Sequence, residues 1–280
     1  MRSRPTGQGR AVRGLALCAC LVACANDHGT GPDERGWDLV FADEFDGVGI
    51  DSSRWTWEVS ALGGGNNELQ YYTARDTNAL VAGGYLVIRA LKEGYTDAGE
   101  TREYTSARIT SAAKADWTYG RFEVRAKMPR GQGLWPAIWM LPAVATYGGW
   151  AASGEIDIVE MLGDDTSTVY GTLHYGGEWP RNENSGQRYT IGEGDFASEF
   201  HVFRLDWAPD RFTWYVDGNA YQSQTTWHTS GGSFPAPFDH SFHLVMNVAV
   251  GGNWPGDPDE TTTFPQEMVV DYVRVYQRAE

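Results

Sequence analysis

The chain has 280 residues and a formal net charge of −15, with 37 acidic against 22 basic side chains. So acidic a surface repels nucleic acid and anionic polymers, whereas 12 Trp and 14 Tyr suit an uncharged partner with flat apolar faces, such as a sugar polymer. Cysteine occurs only at Cys18, Cys20 and Cys24, so neither disulfides nor a thiolate metal site holds the remaining chain together.

Arg2, Arg4, Arg10 and Arg13 precede the apolar run GLALCACLVAC, which is too short to cross a bilayer. Residues 1–23 therefore read as a signal peptide. Its end, Leu21 to Cys24, resembles the lipobox of bacterial lipoproteins, which implies lipidation of Cys24 and anchorage at the bacterial cell surface or outer membrane; without the lipid, the protein is secreted. Loss of the four leader arginines takes the charge from −15 to about −19. Residues 24–36, polar with Gly and Pro, read as a flexible tether, and a folded domain is expected over 37–280. The lipid is its only expected membrane contact, and with no signal for oligomerisation a monomer is expected.

From Trp37 onward the period is two. WDLVFADEF (37–45) is strand-like, and ALVAGGYLVIRAL (79–91) reads as two strands around Gly83-Gly84. In RFEVRAKM (121–128) Phe122, Val124, Ala126 and Met128 alternate with charged residues, the mark of a strand with one dry and one wet face. TVYGTLHYG (168–176) and HVFRLDWAP (201–209) follow; RFTWYVDGNAYQSQ (211–224) is a hairpin around Asp217-Gly218. FHLVMNVAV (242–250) and MVVDYVRVY (268–276) close the series. With no long amphipathic helix and no phosphate loop, the pattern predicts an all-β protein, an antiparallel β-sandwich whose bent sheet offers a concave cleft.

One strand is anomalous. GEIDIVEML (154–162) places Glu155, Asp157 and Glu160 among Ile, Val, Met and Leu. Alternation puts Glu155 and Asp157 on one face but leaves Glu160 out of phase. A β-bulge between Asp157 and Glu160 would bring all three acids to that face, with Ile156 and Ile158 on the other. Retaining glycoside hydrolysis needs two carboxyls about 5–5.5 Å apart, a gap that two long Glu side chains leaning over a shorter Asp can meet. Asp157 would hydrogen-bond to one Glu and hold the two proton affinities apart. The competing reading is a solvated edge strand whose acids discourage aggregation. Metal binding is a weaker third reading, since no His or further acid stands at obvious ligand spacing.

These residues resemble glycoside hydrolase family 16, in its laminarinase-like branch. LVFADEFDG, NNELQYYT, YTSARITS, YGRFEVRAKMPRGQGLWPAIWMLP, GEIDIVEMLG, GTLHYGG, NVAVGGNWPG and FPQEMVVDYVRVYQ all read like that family, in its order. The resemblance implies a concanavalin A-like jelly roll and retaining, endo-acting hydrolysis of β-1,3-glucan. Glu155 would be the nucleophile, Glu160 the acid/base and Asp157 the assisting carboxylate. It also implies substrate contacts from Trp135, Trp139, Trp150, His174, Arg108, Asn66 and Asn67. No cofactor serves catalysis, but a structural calcium ion is implied at Glu44, Asp271 and the Gly84 carbonyl. Residues 146–150 and 178–196 look like variable loops at the cleft edge, and GGWAASGE lacks the Pro that many relatives carry after the Trp. Rival substrates are mixed-linkage β-1,3-1,4-glucan or a galactan such as agarose or carrageenan. A sulfated galactan is disfavoured by the acidic charge and by basic residues that are few and scattered. A non-catalytic glycan-binding module on the same fold would have no need of both glutamates.

Overall fold

The computed structural model describes residues 36–279, in which the alternating pattern becomes seventeen strands, with a single short 3-10 turn at Gly63–Gly65 and no α-helix among the described residues. The proposed signal peptide, Cys24 and the tether up to residue 35 lie outside the described residues. In chain order the strands are β1 (Trp37–Asp43), β2 (Thr56–Glu58), β3 (Gln70–Tyr72), β4 (Ala79–Ala82), β5 (Tyr85–Asp97) and β6 (Glu100–Ser106). Then come β7 (Arg108–Thr110), β8 (Gly120–Lys127), β9 (Leu134–Pro142), β10 (Glu155–Met161), β11 (Thr168–Tyr175) and β12 (Glu183–Thr190). The last are β13 (His201–Ala208), β14 (Arg211–Val216), β15 (Asn219–Gln224), β16 (Phe242–Val250) and β17 (Gln266–Arg278).

Both turns read from the sequence close hairpins. Gly83 and Gly84 join β4 to β5 with φ of 63° and 83°, and Asp217 and Gly218 join β14 to β15 with φ of 49° and 78°. Two successive positive φ values give a turn whose twist matches the strands it joins.

The strands form two sheets. A ten-stranded sheet runs β15-β14-β13-β8-β17-β5-β6-β3, with β1 on β17 and β4 on β5, and a seven-stranded sheet runs β12-β11-β10-β9-β16-β7-β2. Only β3 with β6 pairs in parallel among these strands. Their inner faces meet in a core to which the large sheet contributes Phe122, Phe203, Trp207, Phe212 and Trp214, and the small sheet Ile138, Met140, Ile156, Leu173 and Phe242. Burying each such side chain stabilises the fold by roughly 1.5–3 kcal/mol. The family-implied jelly-roll sandwich is thus the observed architecture.

One competing reading falls and one expectation changes. β10 is an interior strand, flanked by β9 and β11, so its acids are not a solvated edge. Residues 178–196 are not all loop: β12 pairs with β11 over eight residues. Its side chains are exposed or half-buried on both faces, so backbone pairing forms an edge strand that leaves no alternating pattern to read.

Candidate active site

The slip in β10 builds the site. Its pairing with β11 runs Glu155 to His174, Ile156 to Leu173 and Asp157 to Thr172, then resumes at Glu160 to Tyr170. Toward β9 the register breaks between Asp157 and Val159. This is the expected bulge: Ile156, Ile158, Val159 and Met161 all enter the core, and Glu160 returns to the outward face. One cross-strand row then carries Tyr170, Glu160, Ala137, Asn247, Arg108 and Glu58. The sheet therefore collects, on one surface, side chains from six separate stretches of sequence.

Each glutamate meets an indole. Trp150 Nε1 donates to Glu155 Oε2 at 2.8 Å, and Trp135 Nε1 donates to Glu160 Oε1 at 3.0 Å. His174 Nε2 lies 3.2 Å from Asp157 Oδ2 and 3.7 Å from Glu155 Oε1. The polar partner of Asp157 is thus an imidazole rather than the glutamate expected from the sequence, because the β11 register sets His174 beside it. Trp139 Nε1 donates to Asn247 Oδ1 at 2.8 Å, and Asn247 Nδ2 to Tyr72 Oη at 3.1 Å. Arg108 lies over the Trp139 ring at 5.1 Å and the Tyr72 ring at 4.9 Å, with Nη1 3.0 Å from Glu58 Oε1.

Burial gives these acids their chemistry. Asp157 is 2% and Glu160 9% exposed. Burial, and then the Asp157 charge, push Glu155 up to about 7; His174, the Trp150 N–H and Arg108 oppose the rise. Burial also raises Asp157. Glu160 is driven well above the usual carboxylate range, first by burial and then by Asp157, against the pull of His174 and the Trp135 N–H. The Trp150 N–H, His174 and Arg108 thus favour the Glu155 anion, while burial and the neighbouring acids favour the protonated form of Glu160.

Trp135, Trp139, Trp150, His174 and Arg108 therefore gather around the acids. Asn66 and Asn67 stand one step back: Asn67 Nδ2 donates to Asn253 Oδ1 at 2.9 Å, and the Asn66 carbonyl accepts from the Asn253 N–H at 2.8 Å. They hold the loop bearing Trp254, which meets the rings of Trp135 at 5.4 Å and Tyr170 at 5.0 Å. Trp254, Tyr170, Asn247 and Tyr72 are site residues that the sequence reading missed. Trp254 had a legible signal, a large aromatic in the Gly- and Pro-rich GGNWPG.

The carboxylates implied for calcium each have an arginine partner. Arg274 holds Glu44 through two hydrogen bonds of 2.8 Å, and Arg125 hydrogen-bonds Asp271. Gly84 is in the β4–β5 turn. The one cluster of metal-capable side chains among the described residues is Glu155, Asp157 and His174, with ligand atoms within 4.8 Å of one another. The sequence reading saw no histidine at ligand spacing; pairing of β11 with β10 supplies it.

The profile of the glycosyl hydrolases family 16 matches residues 52–274. A β-glucanase of Rhodothermus marinus is 45% identical over 284 residues, covering 94% of each chain. Glucan endo-1,3-beta-glucosidase A1 of Niallia circulans is 42% identical over 265 residues, a match to 89% of this chain and 39% of that longer protein. The structure of the catalytic domain of an endo-1,3-beta-glucanase (laminarinase) from Thermotoga petrophila superposes with a TM-score of 0.78 at 44% identity, covering 87% of this chain and 99% of that one.

Proposed function

The chain belongs to glycosyl hydrolase family 16, and from that premise we propose that it is a retaining endo-β-1,3-glucanase acting on laminarin-like glucan through Glu155, Asp157 and Glu160. The observation that carries this reading is the bulged strand, which turns three acids to one aromatic-lined face where the proton affinities of Glu155 and Glu160 are both raised. The names of the relatives, glucanases and laminarinases, support the substrate.

In the first half-reaction Glu155 attacks the anomeric carbon as the bond to the glycosidic oxygen breaks, and that oxygen leaves with the proton of Glu160. In the second, Glu160, now a carboxylate, takes a proton from water, whose oxygen displaces Glu155 and restores the original configuration. Asp157 raises the proton affinity of both glutamates, which keeps Glu160 protonated until the leaving oxygen needs its proton. Trp135, Trp150 and Trp254 offer flat apolar surface to sugar rings. The test is release of reducing ends from laminarin, barley mixed-linkage glucan and agarose by the wild-type protein and its Glu155→Gln and Glu160→Gln variants. Release from laminarin that is lost in both variants is expected; a folded wild type that leaves laminarin intact would sink the proposal.

The leader supports export, with Cys24 as a lipid anchor and the domain acting as a monomer. Labelled palmitate incorporated by the wild type and lost in Cys24→Ala would bear this out, and equal labelling would refute it. A structural calcium ion at Glu44, Asp271 and the Gly84 carbonyl, taking no part in the chemistry, belongs to the same proposal. It would have to share Glu44 with Arg274 and Asp271 with Arg125. An unfolding temperature unchanged by chelator and by added calcium would remove it.

A further inference from the structure

The bulge is also held from behind. Trp214, fully buried on β14 of the opposite sheet, crosses the core and donates its indole N–H to the Asp157 carbonyl at 2.9 Å. The ladder slips directly after Asp157 toward both neighbouring strands, and a carbonyl at such a slip needs a donor from outside the ladder. Here the donor comes from the other layer of the sandwich.

A second feature serves the same contact. Gly171 on β11 lies between Tyr170 and Thr172, the residues that pair with Glu160 and Asp157. It is not among the glycines with positive φ, so space rather than backbone conformation excludes a side chain there. A Cβ at Gly171 would stand 2.5 Å from Trp214 Cδ1, 2.7 Å from Trp214 Nε1 and 2.6 Å from Tyr221 Oη. The glycine opens the slot through which the indole reaches the bulge.

We infer that Trp214 is a positioning residue, which pins the β10 bulge across the core and thereby fixes Glu160 relative to Glu155. Glu155 and Asp157 precede the slip and Glu160 follows it, so relaxing the bulge displaces Glu160 while leaving Glu155 on its ladder with His174. A shift of one residue would turn Glu160 toward the core. This inference rests on the reading of Glu160 as acid/base.

An ordinary core tryptophan would, when replaced, lower stability and slow all substrates alike. A pin predicts a selective loss, confined to steps that need the proton of Glu160. The experiment compares the wild type, Trp214→Phe and Glu160→Gln on laminarin and on a dinitrophenyl β-laminaribioside, whose leaving group departs without a proton. Azide, which needs no general base to attack the glycosyl-enzyme, is added in a second series. For Trp214→Phe, kcat on laminarin is expected to fall by about 10- to 100-fold, the cost typical of an ångström-scale misplacement, with KM within about twofold. Bond cleavage in the aryl substrate should stay within about threefold of wild type, and azide should raise its turnover.

Glu160→Gln should show the same split more strongly. If it does not, the acid/base reading falls, and with it the premise. If Glu160→Gln shows the split while Trp214→Phe slows both substrates in proportion, or neither, the pin is refuted. Gly171→Ala, which drives a methyl into the indole, supplies the same comparison if Trp214→Phe does not fold, and an unaltered ratio there also refutes the pin. Tyr221→Phe, which empties part of the slot without touching the Asp157 carbonyl, should keep the wild-type ratio between the two substrates.

Discussion

On the outward face of the ten-stranded sheet, Asp206 is held by Arg121 at 2.8 and 2.9 Å, Glu44 by Arg274 at 2.8 Å and Glu267 by Arg89 at 2.6 Å. On the outward face of the seven-stranded sheet, Glu155, Asp157 and Glu160 have two indole N–H groups and one imidazole among them. The first set are carboxylates whose charge is answered by a guanidinium, and they serve as structure. None of the second set is hydrogen-bonded to a guanidinium, and burial raises the proton affinity of its glutamates. Residue type does not separate structural from reactive acids in this molecule; the partner and the depth of burial do.

The comparison breaks if the two faces respond alike to substitution. The largest expected effect is catalytic: Glu160→Gln should lower kcat on laminarin by roughly 10²–10⁴-fold, the usual worth of a general acid, while urea unfolding shows the fold kept. On the other face, Arg121→Met should destabilise by about 1–2 kcal/mol, because half-buried Asp206 loses its bidentate partner and keeps only Arg204, at 3.3 Å; kcat should not change. A comparable loss of kcat would show that the faces are not separate.

Glu155→Gln sharpens the contrast through pH. The folded pKa of Glu155 is raised to about 7, above an unfolded value of about 4.3, so the native state binds more protons between those limits. Stability from this group is therefore complete below about pH 4 and declines as pH rises through 7. Removing the charge should stabilise the protein by roughly 3–4 kcal/mol at pH 8 and leave it almost unchanged near pH 4, read by denaturant unfolding at both. The same pKa places the acidic limb of kcat/KM for the wild type near pH 7, with activity falling below it as the nucleophile is protonated. The smallest effect is expected at the more exposed pair, where Arg274→Met should cost less than about 1 kcal/mol.

Much of the site was legible because strand geometry is so regular. In a period of two, Glu160 is misplaced by one residue, and only an extra residue in the ladder repairs that; the bulge and the three acids followed from nine letters. That Asn66 and Asn67, expected as substrate contacts, also brace the Trp254 loop was not legible, since their neighbour Asn253 lies 186 positions from Asn67 in the chain. His174 could be named as a site residue, but not as the partner of Asp157, because that depends on how β11 aligns with β10. The edge strand β12 stayed hidden because only its backbone is paired in a regular way.

Local pattern in the chain carries the all-β class, the two glycine-bearing hairpins, the acidic strand and its bulge, and a family likeness running through the whole domain. Tertiary structure alone decided which acids would be answered by arginine and which by indole. It also decided that Trp214, from the opposite layer, meets the carbonyl the bulge leaves over. The physical reason is that alternation is a property of neighbours in the chain, whereas cross-strand register and the meeting of two sheets are fixed only when the whole core closes.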